Sequence, residues 1–194
     1  MTAAPRLVLA SSSPRRLELL RQIGIEPDSV IAPDVDEAWD RKELPRVHAA
    51  RLASEKAAAV ALRLEGDAFV LAADTVVACG RRILPKCEQE AEAKACLDLL
   101  SGRRHRVYGG LCVVAPGGRR VQRVVMTMVQ MKRLSAAERA AYLASGEWRG
   151  KAGGYAIQGR AGAFVPAING SYSNVVGLPL SETLGLLEGL GWRP

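Results

Sequence analysis

Aromatic side chains are scarce. Two Phe, three Trp and four Tyr make up 5% of the 194 residues. Single-stranded nucleic-acid platforms stack bases on such rings, and no recognised nucleic-acid motif is present, so nucleic acid is not an expected partner. Histidine occurs only as His48 and His105. The four cysteines (Cys79, Cys87, Cys96, Cys112) contain no Cys-x-x-Cys pair. A structural zinc site is therefore not expected, and unpaired thiols fit a reducing, cytoplasmic compartment. Long apolar runs are missing too. The longest, residues 68–79, is broken by Asp74 and is shorter than the roughly 18–20 residues of a membrane span. The apolar run 7–10 is shorter than a signal-peptide core of about 7–15 residues. No membrane partner is expected.

What is present is material for a core. Hydrophobic residues are 48% of the chain and charged residues 24%. This suits one globular domain over residues 1–194. Lys plus Arg number 27 against 20 for Asp plus Glu, a net charge of +7. An excess of this sign suits a polyanionic partner, which in general can be nucleic acid, an anionic surface or a small polyanion; the first two are not expected here, on the grounds above.

Strand and helix signals alternate in the manner of an α/β chain. Residues 6–10 (RLVLA) read as a buried strand and 14–23 as a helix. Ser13 stands at the N-cap, Pro14 at the first helical position and Gly24 at the stop. Leu17, Leu19, Leu20 and Ile23 supply its apolar face. Residues 26–44 are acidic and irregular. An alanine-rich helix covers 45–64, with Val47, Leu52, Ala57, Val60 and Leu64 apolar. Residues 68–77 read as a buried strand, followed by a Gly80-Arg81-Arg82 hairpin, a helix over 88–100 and two antiparallel strands over 107–114 and 121–131. A helix over 136–144 is capped by Ser135. Residues 150–162 form a glycine-rich loop, 163–166 a short strand and 180–190 a final helix.

Some residues resist a purely structural reading. Arg15 and Arg16 open a helix, where the backbone field is already positive. A strand, a turn of Ser11, Ser12 and Ser13, and then a helix N-terminus make a ready anion site. The alternative is that both arginines turn to solvent or pair with a carboxylate. Asp74, followed by Thr75, interrupts an apolar strand. A buried carboxylate is usually paired, metal-bound or functional, unless it ends the strand in a turn. Lys56 and Lys86, taken singly, read as solvated surface lysines and gain meaning only if the fold brings them to Asp74. Gln158 sits inside Ala-Gly-Gly-Tyr-Ala-Ile-Gln-Gly (residues 152–159), whose glycines permit close backbone approach. Arg119, Arg120, Arg123, Lys132 and Arg133 read as a solvated face of the 107–131 hairpin.

Taken in order, these blocks resemble the Maf family of nucleotide pyrophosphatases. The blocks are Leu9-Ala10-Ser11-Ser12-Ser13-Pro14-Arg15-Arg16; Arg51-Leu52-Ala53-Ser54-Glu55-Lys56-Ala57; Ala73-Asp74-Thr75-Val76-Val77; and Tyr155-Ala156-Ile157-Gln158-Gly159 continuing through Asn169-Gly170-Ser171-Tyr172 and Val176-Gly177-Leu178-Pro179-Leu180. The resemblance implies a mixed twisted sheet flanked by helices, in two lobes around a cleft, similar to the inosine-triphosphate pyrophosphatases. It implies hydrolysis of a nucleoside triphosphate to monophosphate and pyrophosphate with a divalent cation (Mg, Mn or Co), in a homodimer. Asp74 matches the catalytic proton acceptor. Arg15, Arg16, Lys56 and Lys86 match phosphate-binding cations. Arg15, Thr75 and Gln158 match positions tied to base choice. Two departures stand out. Lys86 is preceded by Pro85 and followed by Cys87, where the family's lysine usually precedes proline. Gly109-Gly110 stands where a threonine is common.

The chemistry is consistent with that reading. Attack of water on an α-phosphorus requires cations on the triphosphate, and a base for the water. Asp74 is the candidate base, and Ser11 and Ser13 are further substrate contacts. Glu37 and Asp74 are the candidate metal ligands, with Asp36 a further candidate. An amide at Gln158 can accept from the thymine or uracil N–H and donate to a carbonyl, which favours dTTP and UTP. The alternatives are a 7-methyl-GTP pyrophosphatase and a non-catalytic, nucleotide-sensing regulator of septum formation.

Overall fold

The computed structural model describes residues 5–40 and 42–193. Its centre is a seven-stranded mixed sheet of order β2-β1-β3-β6-β7-β9, with β4 paired to β3. The strands are β1 (Leu7–Ala10), β2 (Ser29–Ile31), β3 (Phe69–Cys79), β4 (Arg82–Leu84), β6 (Arg104–Val114), β7 (Arg120–Gln130) and β9 (Ala167–Asn169). β1 runs parallel to β2 and β3, and the remaining pairs are antiparallel. β5 (Lys86–Cys87) and β8 (Lys151–Ala152) form a separate small ribbon. The helices are α1 (Pro14–Gln22), α2 (Pro45–Ala61), α3 (Glu90–Leu100), α4 (Ala136–Ser145), α5 (Tyr172–Val176) and α6 (Leu180–Gly189). The mixed, helix-flanked sheet implied by the resemblance is present.

Strand alternation sorts the core into two layers. Leu7 and Leu9 of β1, with Phe69, Leu71 and Ala73 of β3, join the larger layer that includes Leu19, Leu20, Leu97, Leu100, Tyr142 and Leu187. Val8, Ala10, Val70 and Ala72 point the other way, onto Ala53, Ala57 and Val60 of α2. Continuing that alternation puts Asp74 on the α2 face and Thr75 on the opposite one.

Several local expectations need correction. Ser13 occupies the N-cap of α1 but its side chain makes no capping bond; its amide is instead held by Ser11 Oγ at 3.1 Å. Ile23 is exposed because it is the C-cap, past the last helical residue of α1, and Val47 because it lies off the buried stripe of α2. Residues 29–31 form an edge strand inside the stretch read as irregular. The strand expected over 163–166 is a 3-10 turn, Arg160–Phe164, and the pairing strand is the later β9. The Ser135 cap forms as expected, reciprocated by Glu138.

Candidate active site

The site lies beyond the C-terminal end of β1, where open α/β sheets place ligands, and alongside the middle of the longer β3. One wall is the β1–α1 turn and another is the β5–β8 ribbon. Ser11, Ser12, Ser13, Arg15, Arg16, Glu37, Lys56, Thr75, Lys86 and Gln158 all line the same open cleft. Asp74 lines an adjoining hollow that shares Glu37, Thr75 and Lys86 with it.

Asp74 is 3% exposed and sits in mid-strand, opposite Gly110 of β6. It does not end the strand in a turn. Lys56 is also 3% exposed, which overturns its reading as a solvated lysine. On α2 the buried positions Ala49, Leu52, Ala53, Lys56, Ala57 and Val60 form one stripe, so the three- and four-residue helical spacing aims Lys56 at the sheet. Its Nζ lies 2.6 Å from Asp74 Oδ1 and 2.5 Å from Glu37 Oε1. The other Glu37 oxygen, Oε2, takes the half-exposed Lys86 ammonium. Glu37 thus bridges the buried lysine and the ribbon lysine. Burial alone raises its pKa, but the hydrogen bonds from Lys56 and Lys86 outweigh that and hold the carboxyl down to about 2.

Arg16 is fixed from three sides. Its Nε donates to the Gly177 carbonyl at 3.0 Å, Nη1 to Ser11 Oγ at 3.2 Å and Nη2 to Thr75 Oγ1 at 3.2 Å. Neither arginine swings into solvent. Burial lowers the pKa of both Arg15 and Arg16, with Asp74 opposing it at Arg16. The Ser11 hydroxyl already accepts from Arg16 and from the Ser13 amide, so it is first a brace for the turn. Gln158 is exposed at the cleft's rim.

The departure at Gly109-Gly110 has a physical reason. A Cβ on Gly110 would lie 1.9 Å from the Ala49 carbonyl oxygen of α2, and one on Gly109 would lie 1.9 Å from Asn174 Oδ1 of α5. At Gly110 the backbone of α2 comes too close for a side chain, and at Gly109 the space is taken by the Asn174 side chain.

Three features escaped the sequence reading. Lys151 lines the cleft beside Arg15. Tyr155, buried at the cleft wall, shares a hydrogen bond of 2.7 Å with His105. Arg51 ties α2 to the Glu37 loop: Nε and Nη2 bind Glu43 at 2.8 and 3.0 Å, and Nη2 also reaches the Ala38 carbonyl at 2.9 Å. Arg51 and Tyr155 each left a signal, one in the helix block and one at the head of the Tyr-Ala-Ile-Gln-Gly block, and Lys151 left none.

Glu37 and Asp74 meet in the hollow beside the cleft and are joined by Lys56, and no group of three or more His, Cys, Asp or Glu placed to hold a metal occurs among the described residues. Two carboxylates suit a hard divalent cation that takes its other ligands from phosphate and water, and not a metal held wholly by protein. Among the described residues no helix is long and apolar enough to cross a membrane.

Named proteins resemble the chain along nearly its whole length. A dTTP/UTP pyrophosphatase of Caulobacter vibrioides is 62% identical over 194 residues, covering 100% of both chains. Another, of Paramagnetospirillum magneticum, is 66% identical over 188 residues, 97% of this chain and 98% of its own. Among solved structures, the Ham1 protein of Staphylococcus aureus is similar at a TM-score of 0.45 and 18% identity, covering 65% of this chain and 71% of that one. The family model described as Maf-like protein matches residues 6–190, and the chain belongs to that family.

Proposed function

We propose that the chain hydrolyses dTTP and UTP, with modified pyrimidine triphosphates, to the nucleoside monophosphate and pyrophosphate. The observation that supports this most directly is the Glu37–Lys56–Asp74 junction beside a helix N-terminus bearing Arg15 and Arg16. In the reaction a water oxygen bonds to the α-phosphorus. The bond from that phosphorus to the α–β bridging oxygen breaks, and pyrophosphate leaves with the electron pair. Asp74 takes the water's proton. Lys56 engages it through Oδ1, which leaves Oδ2 to face the water. Lys56 and Lys86 carry positive charge to the α-phosphate, and the α1 N-terminus with Arg15 faces the remaining phosphates. Glu37 and Asp74 are the residues that would hold Mg²⁺, Mn²⁺ or Co²⁺, which when bound neutralises charge on the phosphate oxygens.

Gln158 is the base reader. Its amide accepts from the pyrimidine N–H and donates to a neighbouring carbonyl, a match that a carboxylate would lose. Thr75 shapes the same wall by holding Arg16. The chain acts as one domain, which its length and composition support, in the cytoplasm, which its thiols support, and as a homodimer, which the family resemblance supports; sedimentation and fractionation test these readings.

A nucleotide panel with each of the three metals is the test. The expected result is pyrophosphate release with UTP and dTTP ahead of ATP and 7-methyl-GTP. A higher kcat/KM for 7-methyl-GTP than for both pyrimidines overturns the base assignment. Absence of pyrophosphate from every triphosphate, with nucleotide still bound, favours the nucleotide-sensing regulator instead.

A further inference from the structure

The cations of the cleft are not equivalent. Lys56 and Lys86 are committed to Asp74 and Glu37. Arg16 is committed to Gly177, Ser11 and Thr75. Among the described residues, Arg15 and Lys151 form no ion pair, although both line the cleft. Lys151 Nζ donates to the Arg149 carbonyl at 3.0 Å, which leaves most of its ammonium protons unused.

Lys151 is not a loose surface lysine. It lies in β8, in register with Cys87 of β5. The Gly150 amide donates to the Cys87 carbonyl and the Gly153 amide to the Pro85 carbonyl, each at 2.9 Å. Burial lowers its pKa, and the nearby Arg15 lowers it further; Glu147 and Glu88 oppose this without contact. Arg15 and Lys151 are two partly desolvated cations on one cleft; Glu37 and Glu88 line it too, but Glu37 is taken by Lys56 and Lys86, and among the described residues no carboxylate is bonded to Arg15 or Lys151. An anion restores the balance.

We propose that Lys151 is a substrate-binding residue that, with Arg15, clamps the terminal phosphates leaving as pyrophosphate. The assignment rests on the pyrophosphatase reading above. Lys56 and Lys86 sit at the Asp74 end, where the α-phosphate must lie, so the uncommitted cations are left for the β- and γ-phosphates.

Calorimetric titration of the full chain with inorganic pyrophosphate and, separately, with UMP tests this, using wild type, Lys151→Met and Lys151→Arg. Each melting midpoint serves as a folding control. Lys151→Met weakens pyrophosphate by about tenfold or more, the scale of a charge-assisted hydrogen bond, and leaves UMP and the midpoint nearly unchanged. Lys151→Arg keeps most of the pyrophosphate affinity. Unchanged pyrophosphate binding in Lys151→Met overturns the assignment. So does an equal loss for UMP, which would mean a general disturbance of the cleft. If Lys151→Met does not fold, Lys151→Arg together with Lys151→Gln carries the same comparison. Wild-type release of pyrophosphate from UTP is measured alongside. If it occurs while Lys151→Met binds pyrophosphate normally, only the Lys151 assignment falls; if it does not occur, the pyrophosphatase reading itself falls.

Discussion

Gly110 faces Asp74 directly across the β3–β6 pair, and its missing side chain is what lets α2 settle onto the sheet at that point. Gly110→Ala sets a methyl group 1.9 Å from the Ala49 carbonyl oxygen, a backbone atom that no rotamer change can move aside. The expected loss is about 1–3 kcal/mol of stability, the usual cost of overpacking, read as a lower denaturant midpoint. Activity should fall as well, because raising α2 draws Lys56 away from Asp74.

Lys56 and Asp74 form a buried pair: removing Lys56 leaves the Asp74 charge without compensation, whereas removing Asp74 leaves Lys56 paired with Glu37. Lys56→Met is expected to cost about 3–5 kcal/mol, and Asp74→Asn less, since an amide keeps a hydrogen bond without the charge. The double variant should be more stable than the two single losses predict, and a double-mutant cycle reads that coupling. For turnover, Asp74→Asn should lose about 10²–10⁴-fold in kcat while nucleotide still binds. Full turnover in that variant would remove Asp74 from the role of base.

His105 gives a pH signature. Burial lowers its pKa from 6.5 to about 4. The unfolded chain therefore binds a proton between these values that the folded chain does not, and stability falls as pH drops through that window. Wild type should lose midpoint in denaturant between pH 6.5 and 4 more steeply than His105→Gln. Parallel curves for the two proteins would mean that His105 is not the group responsible.

Arg51 should resist conservative exchange. Its guanidinium serves Glu43, Glu55 and the Ala38 carbonyl at once, and a lysine cannot reproduce that fork. Arg51→Lys is expected to reduce kcat more than it raises KM for UTP, because the loop it releases carries Glu37. An unchanged kcat with normal folding would argue that Glu37 holds its place without this tie.

The order of strands and helices was legible because strand and helix periods are local properties. Asp74 was legible for the same reason: one carboxylate in an apolar run contradicts its neighbours. The burial of Lys56 was harder to see, because its partner lies on another element and lysine is ordinarily exposed. Its place on the Ala49, Leu52, Ala53, Ala57, Val60 stripe was nonetheless written in the spacing. β2 escaped notice because it is a half-exposed strand of three residues, too short for alternation to register. The strand placed over 163–166 misjudged how the glycine loop ends: Gly162 and its neighbours close a 3-10 turn before the chain extends. Lys151 could not be found from sequence, since its meaning comes only from the β5–β8 pairing and the nearness of Arg15.

The bond from Arg16 to Gly177 joins positions 161 residues apart. The cleft consequently has no local precursor: a fragment holding only the β1–α1 turn, or only the C-terminal block, contains half a wall. Any phosphate compound that prefers the assembled cleft draws the chain toward its folded state by mass action, by about 2.7 kcal/mol at one hundred times its dissociation constant. Cellular triphosphate would then act on this protein twice over, as what it consumes and as what keeps its distant segments together.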